Sequence, residues 1–418
     1  MPKLVQYSKG SIIYFEEDKD DRIFILQRGT IVLTSTDIET KKTVSEVVGN
    51  GEFFGAKSAL GHFPREETAN TITDATVVSM TTSEFEQLFS TNKGIIMKML
   101  RVFSKQLRQL HKKTESILNS AQVPDANGQN GMVAVAKSFY NEEQYRSCMD
   151  AAEKYLRLTS DTDSKSRLTK LYNDSKLRFE KLRRLRREPE YADDERPSDS
   201  DAQGTFTLPG FERFAKTYEP GQVIIAEYEP GNSFYFIQSG TVQLTKCVNG
   251  IKKNIDILKP GEFFGEMAIL DNSPRSATCI ARSRVEALEF NKANFEVLVT
   301  GNPQIALILL KLFCKRIYDQ KRRLRVLAQP DAQSRIADMF LMLDEMSHND
   351  LIVGPREFNI TRNDVAHWTG LPLDVTYEEL DNMHSKFNME IYENRISVDV
   401  VDMRRIVDTK AMIRRMQD

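Results

Sequence analysis

Apolar and polar positions alternate with a period of two in two separate stretches of the chain. IFILQRGTIVLT (Ile23 to Thr34) and FYFIQSGTVQLT (Phe234 to Thr245) place β-branched and aromatic residues at every second position and are broken by Gly-Thr turns. Such runs between Gly, Asn and Asp punctuation predict short antiparallel strands with one buried face. The two stretches are copies of one another. GEFFGAKSALGHFPREETA from Gly51 returns as GEFFGEMAILDNSPRSATC from Gly261, and KGSIIYFE near Gly10 returns as PGQVIIAE near Gly221. Gly29 then corresponds to Gly240 and Arg65 to Arg275, which marks an internal repeat of one all-β domain.

Each copy passes into a helical pattern. Leu88 to Leu118 and Phe295 to Leu327 carry apolar residues three and four apart, for example Ile305, Leu309, Leu312, Phe313, Ile317 and Leu324. A stripe that long exceeds what a small roll covers, so it predicts a second helix or a second subunit, as in a homodimer. Between the copies, Ala134, Phe139, Tyr145, Cys148, Ala152 and Tyr155 are spaced as in a helical hairpin loosely like one tetratricopeptide unit. One such unit cannot bury its own face and has to pack on a roll or a partner. From Asp331 the pattern becomes one amphipathic helix, SRIADMFLMLDEM. A helix capped by Thr361 and running through Trp368 follows, then a turn at Gly370, a second helix from Leu373 to Met383, and a hairpin turning at Glu393-Asn394. The expected domains are 1–120, 130–187, an acidic linker at 188–205, 206–328 and 331–418.

Composition changes this picture little, but the distribution of charge matters. The 58 Lys and Arg against 60 Asp and Glu give a net charge of −2 over 418 residues. That sum hides ten cations against Asp174 and Glu180 in Lys165 to Arg187, and seven acids against Arg196 in Glu188 to Asp201. The four cysteines are dispersed with no CxxC, which predicts reduced, packed thiols. The longest apolar run, Ile305 to Leu310, is far too short to cross a bilayer, and no h-region follows the N-terminal lysine, so a cytoplasmic protein is expected. No nucleophile, base or metal cluster stands out, so an enzyme is not expected and no cofactor is implied.

The repeated loop holds the candidate chemistry. In GEFFGEMAILDNSPRSAT, Gly265 lets backbone approach a ligand, a helical turn from Glu266 presents amides to an anion, and Arg275 can fork onto a phosphate. Glu266 disfavours a phosphate but can accept from a sugar hydroxyl held beside it. The string closely resembles the phosphate-binding cassette of cyclic nucleotide-binding domains. That resemblance implies that Gly265, Glu266, Met267 and Ala268 on one side, and Arg275, Ser276, Ala277 and Thr278 on the other, bind the ribose and cyclic phosphate. The ligand implied is cAMP, or cGMP, with Ser276 leaning toward cAMP. Gln320 and Lys321 stand where the family's purine contacts arise on the long helix, often across the dimer.

The first copy departs from the cassette. Ala56 replaces the glutamate, Lys57 follows it, and Arg65 is succeeded by Glu66 and Glu67. Two carboxylates there repel a phosphate or neutralise Arg65, so a ligand-free or divergent site with an internal ion pair at Arg65 is expected. Lys57 leaves another anion, such as a cyclic dinucleotide, open.

The order of roll, long helix and helix-turn-helix with a wing resembles Crp/Fnr transcription regulators over residues 205 to 405. The expected fold is therefore α+β: two antiparallel β-roll (jelly-roll) domains with long C-terminal helices, a helical insert and a C-terminal winged helix. The resemblance implies DNA binding, with Arg362 and Thr376 as candidates and Arg404, Arg405, Arg414 and Arg415 as supporting cations. Charge argues against it, because Asn359 to Asp381 holds one arginine against five acidic residues and phosphate neutralisation carries much of DNA affinity. A cyclic nucleotide-responsive adaptor whose winged helix contacts proteins is the alternative. A kinase regulatory subunit is not expected, since the run from Arg183 to Arg187 leads into Glu188 rather than a pseudosubstrate Ser or Ala.

Overall fold

The computed structural model describes residues 2–38, 42–91, 93–118, 128–184, 209–248, 250–346 and 355–415. The expected linker at 188–205 falls outside them, as do Arg186 and Arg187.

Alternation becomes two four-stranded antiparallel sheets in each copy. In the first, Lys3–Tyr7, Ala75–Met80, Ile23–Arg28 and Phe53–Phe54 lie side by side in that order. Ile12–Tyr14, Thr68–Thr71, Ile31–Thr36 and Thr43–Val48 form the other sheet. Inward side chains meet in a core of Tyr14, Phe24, Leu26, Ile31, Phe54, Ala69 and Val77. The second copy repeats the order with Phe263–Phe264, Ser233–Ser239, Val285–Asn291 and Ala215–Tyr218, and with Val223–Ile225, Thr278–Ala281, Val242–Val248 and Ile251–Leu258. Its core joins Ile224, Tyr235, Ile237, Val242, Phe264 and Ala287. Sequential hairpins with inward alternation are why the short runs read correctly as strands.

The contacts divide the chain into two compact units, Met1–Leu107 with Ala293–Lys321, and Arg108–Lys292 with Arg322–Asp418. This differs from the expected boundaries at 120 and 328, which gave each roll the helix that follows it. In the first unit, Pro303–Leu327 packs up to Lys321 against the first roll. Tyr318 stacks on Phe63 with ring centroids 4.2 Å apart, and Lys311 Nζ lies 2.9 Å from Glu86 Oε1. The stripe of Ile305, Leu309, Phe313, Ile317 and Leu324 is buried within this chain. Sequence reading left a second helix or a second subunit as the cover, because periodicity shows that a face needs cover without showing which surface covers it.

In the second unit the helical insert comprises Gly128–Asn141, Tyr145–Leu158 and Thr162–Arg184. Its buried face, including Val133, Phe139, Ala152, Tyr155 and Leu168, shares one core with Val223, Ala226 and Ile280 of the second roll. The C-terminal segment runs Ala332–Met346, Pro355–Phe358, Arg362–Thr369, Leu373–Lys386, Met389–Ile391, Ile396–Asp399 and Val400–Arg415, with its three strands in one sheet. Thr361 caps Arg362–Thr369 through a reciprocal pair of bonds with Asp364, and Gly370 at φ 69° ends that helix. No single helix among the described residues is long and apolar enough to cross a membrane.

Candidate functional site

Strand Phe263–Phe264 delivers Gly265, which takes φ 83° and opens the six-residue helix Glu266–Asp271. A Cβ at Gly265 would come within 2.8 Å of Arg275 Nη1, so glycine is required by both backbone and guanidinium. Arg275 Nη1 donates to Gly265 O at 2.6 Å and Nη2 to Ser233 O at 2.6 Å, while Nε is buried with no hydrogen-bond partner. Glu266 and Arg275 are 2% and 6% exposed. Met267 and Ala268 are buried on the same short helix, and Ser276 is half-buried. Ala277 belongs to the roll's core, and Thr278 Oγ1 accepts from Glu227 N at 3.1 Å. The eight cassette residues therefore flank one loop, with an acceptor on one side and a fixed cation on the other. That arrangement suits a ligand carrying both an anion and hydroxyl donors.

The first roll repeats the backbone and changes the chemistry. Arg65, 1% exposed, donates through Nη1 to Gly55 O and Ser58 Oγ and through Nη2 to Arg22 O, the carbonyl that corresponds to Ser233 O. Its Nη2 also lies 3.3 Å from Asp20 Oδ2, and its guanidinium sits 4.5 Å over the Tyr14 ring. The ion pair is internal, but its acid is Asp20 rather than Glu66 or Glu67. Glu67 instead accepts from Tyr14 Oη at 3.4 Å, and burial pushes that phenol far up. Glu66 draws in Lys57 at 3.9 Å. Burial pulls the Lys57 ammonium down, yet Glu67, Glu66 and Glu46 outweigh it and hold the group above its ordinary range. Ala56, 5% exposed, brings no acceptor to the place of Glu266.

Two candidates have their intrachain contacts elsewhere. Lys321, expected at a purine and often across a dimer, donates within this chain to Glu66 Oε2 of the first roll at 2.8 Å. Burial and Lys57 draw its ammonium down against the pull of Glu66. Gln320 is 3% exposed and also lies in the first unit, with Oε1 buried and unpartnered. The reason is the packing of Pro303–Leu327 on the first roll, which no linear spacing encodes. What reaches the second roll's loop is Arg108, whose Nη1 lies 3.5 Å from Pro274 O beside Arg275. Sequence reading missed Arg108 for the same reason. It also missed Asp20, which aligning the copies would have exposed as an acid where the second has Gly231.

On the C-terminal segment, Thr376 is fully buried and donates to Pro372 O at 2.8 Å, so it cannot meet DNA. The packing of Leu373–Lys386 turns that face inward together with Leu380 and Met383. Arg362 Nη1 lies 2.7 Å from Asp381 Oδ1, with its guanidinium 5.2 Å over the Tyr377 ring. Exposed on the first two turns of this helix are Leu373, Asp374, Val375, Tyr377 and Glu378, an apolar and acidic surface, while its later turns expose Asp381, Asn382, His384, Ser385 and Lys386. Arg404 and Arg405 are exposed on Val400–Arg415 instead, the latter 3.0 Å from Asp402. Arg323, 1% exposed, ties the second roll to the turn helix through Ile255 O, Asn254 O at 2.7 Å and His367 O at 3.1 Å. Burial pulls its guanidinium down to about 10. No cluster able to hold a metal occurs among the described residues.

The family model of the cyclic nucleotide-binding domain matches residues 4–92 and 215–302, so the chain carries two such domains. The Cyclic AMP receptor protein of Thermus thermophilus is 30% identical over 129 residues, 31% of this chain and 60% of that protein. A cAMP-dependent protein kinase regulatory subunit of Pyricularia oryzae is 35% identical over 82 residues, 20% of each. The chain thus spans less than two thirds of either relative. CooA from Carboxydothermus hydrogenoformans overlays 51% of this chain and 98% of its own, at 15% identity and a TM-score of 0.44.

Proposed function

We propose that the chain is a cAMP-responsive regulator of Crp/Fnr type, with the nucleotide bound in the second roll and the signal delivered through a C-terminal winged helix that acts on transcription. The observation that carries the ligand reading is one arginine in two settings. Arg65 faces Asp20, whereas at Arg275 that place is Gly231 and Glu266 stands across the loop. A buried cation neutralised by its own carboxylate has little left for a phosphate, and Arg275, which donates to two carbonyls and the Ser233 hydroxyl, keeps more of its charge for one. Sensing is transmitted by Arg323, whose three carbonyl partners join strand Ile251–Leu258 to helix Arg362–Thr369, so a shift of the roll is felt at the turn.

Calorimetry with cAMP and cGMP on the wild type and on Arg275→Ala tests this. Binding by the wild type that is lost in the variant is expected. No binding by the wild type, or equal binding by both, ends the reading.

A second output, contact with a protein, is favoured by the exposed surface of Leu373, Asp374, Val375, Tyr377 and Glu378 and by the pairing of Arg362 with Asp381. Phosphate contacts make duplex binding fall steeply with salt. A gel shift across a salt series with cAMP present therefore decides between them: salt-sensitive duplex binding supports transcription, and its absence supports the protein partner.

A further inference from the structure

The main chain of Arg275 is clamped on both sides by one turn. Arg275 N donates to Glu229 O at 2.9 Å, and Tyr228 N donates to Arg275 O at 3.0 Å. The same turn reaches Thr278, through Glu227 N at 3.1 Å. The first roll has the equivalent clamp, with Arg65 N on Asp18 O and Glu17 N on Arg65 O, both at 2.9 Å. In both copies the central residue adopts a left-handed conformation, φ 69° at Tyr228 and 74° at Glu17, which is strained for a side chain of either size.

The helical insert holds the second turn at successive residues. Tyr155 Oη, on a fully buried side chain, donates to Glu227 O at 2.9 Å. Lys154 Nζ lies 3.1 Å from Glu229 Oε1, while Glu229 Oε2 accepts from Ala226 N at 3.0 Å. The Tyr228 ring lies so close over Gly131 that a Cβ there would come within 2.8 Å of it. Ala226 itself belongs to the core shared with the insert. A strained turn persists only where its surroundings over-determine it, and here the insert supplies those surroundings.

We propose that Lys154, Tyr155 and Gly131 are positioning residues for the second roll's ligand site, and that docking of the helical insert and binding of the nucleotide are thermodynamically coupled through the Ala226–Glu229 turn. The inference rests on the reading of that site as a cyclic nucleotide site. By reciprocity, whatever loosens the insert weakens the ligand, and the ligand tightens the insert. A partner that grips the insert helices would thereby set the sensitivity of the nucleotide site.

The test uses the full chain with cAMP as the probe. Tyr155→Phe, Lys154→Met and Gly131→Ala are each expected to raise the Kd for cAMP by about fivefold or more. Lys154→Arg keeps the Glu229 contact and should restore most of the affinity. Thermal melts without ligand show that each variant is folded. Hydrogen exchange supplies a readout that a merely structural role does not move: cAMP should slow exchange across Tyr145–Leu158 in the wild type, and less so in the variants. Failure of the wild type to bind cAMP would remove the site reading and this inference together. Normal wild-type binding with unchanged Kd in the folded variants, or no ligand-dependent protection of the insert, would overturn the coupling alone.

Discussion

Arg65 and Arg275 share a loop, a burial and two carbonyl acceptors, and differ in what neutralises them. The difference was half legible in the linear order. Glu66 and Glu67 beside Arg65 pointed to an internal ion pair, but the acid that meets the guanidinium comes from Asp20, 45 positions away, and Glu66 is taken up by Lys57 and Lys321. Charge adjacency in sequence shows that carboxylates are near without showing which oxygen faces which cation. At this scale, Arg65→Ala removes a fully buried cation and leaves Asp20, Ser58 Oγ and two carbonyls without their donor. The loss should be roughly 3 to 5 kcal/mol of stability, with cAMP affinity at the second roll nearly unchanged. Urea denaturation followed by calorimetry checks both parts, and a stable variant that has lost cAMP binding would instead make Arg65 a ligand group.

Among elements, those specified by local rules were read most closely. Thr361 at the cap, Gly370 at the stop and Glu393-Asn394 at the hairpin turn each sit where the backbone uses them, because caps and turns are decided within a few residues. Thr361→Ala breaks both halves of the reciprocal bond with Asp364 and should cost about 1 kcal/mol. A lowered denaturation midpoint with an unchanged slope is the expected sign, and an unchanged midpoint would show that tertiary packing alone holds the helix. The long helices show the opposite case. Their stripes were plain, yet the intrachain partners of Tyr318, Lys321 and Arg108 were not legible, since a 3.6-residue period fixes a face and not its destination.

At the scale of the whole molecule, elements far apart in sequence set the behaviour of single groups. His367, on the turn helix, is held below its ordinary range first by burial and then by Lys252 of the second roll, against the pull of Asp364 and of Glu142 from the insert. The unfolded imidazole titrates near 6.5 and the folded one lower, so the folded chain prefers the neutral ring. Stability from this source is present above that value and is lost as pH falls through the folded pKa. Comparing urea midpoints at about pH 7.5 and about pH 5 should show a smaller loss for His367→Gln than for the wild type. Equal losses would mean that other groups carry the acid sensitivity.

The repeat, the strand pattern and the capped turn helix were determined by sequence, because each depends on a local motif or on comparing one copy with the other. Tertiary structure decided that Asp20 neutralises Arg65, that Lys321 belongs to the first roll, that Thr376 is buried, and that the insert grips the turn behind Arg275. All four are choices of partner for a side chain or a face. Burial and charge create the need for a partner, and only the three-dimensional packing of distant segments selects which one meets it.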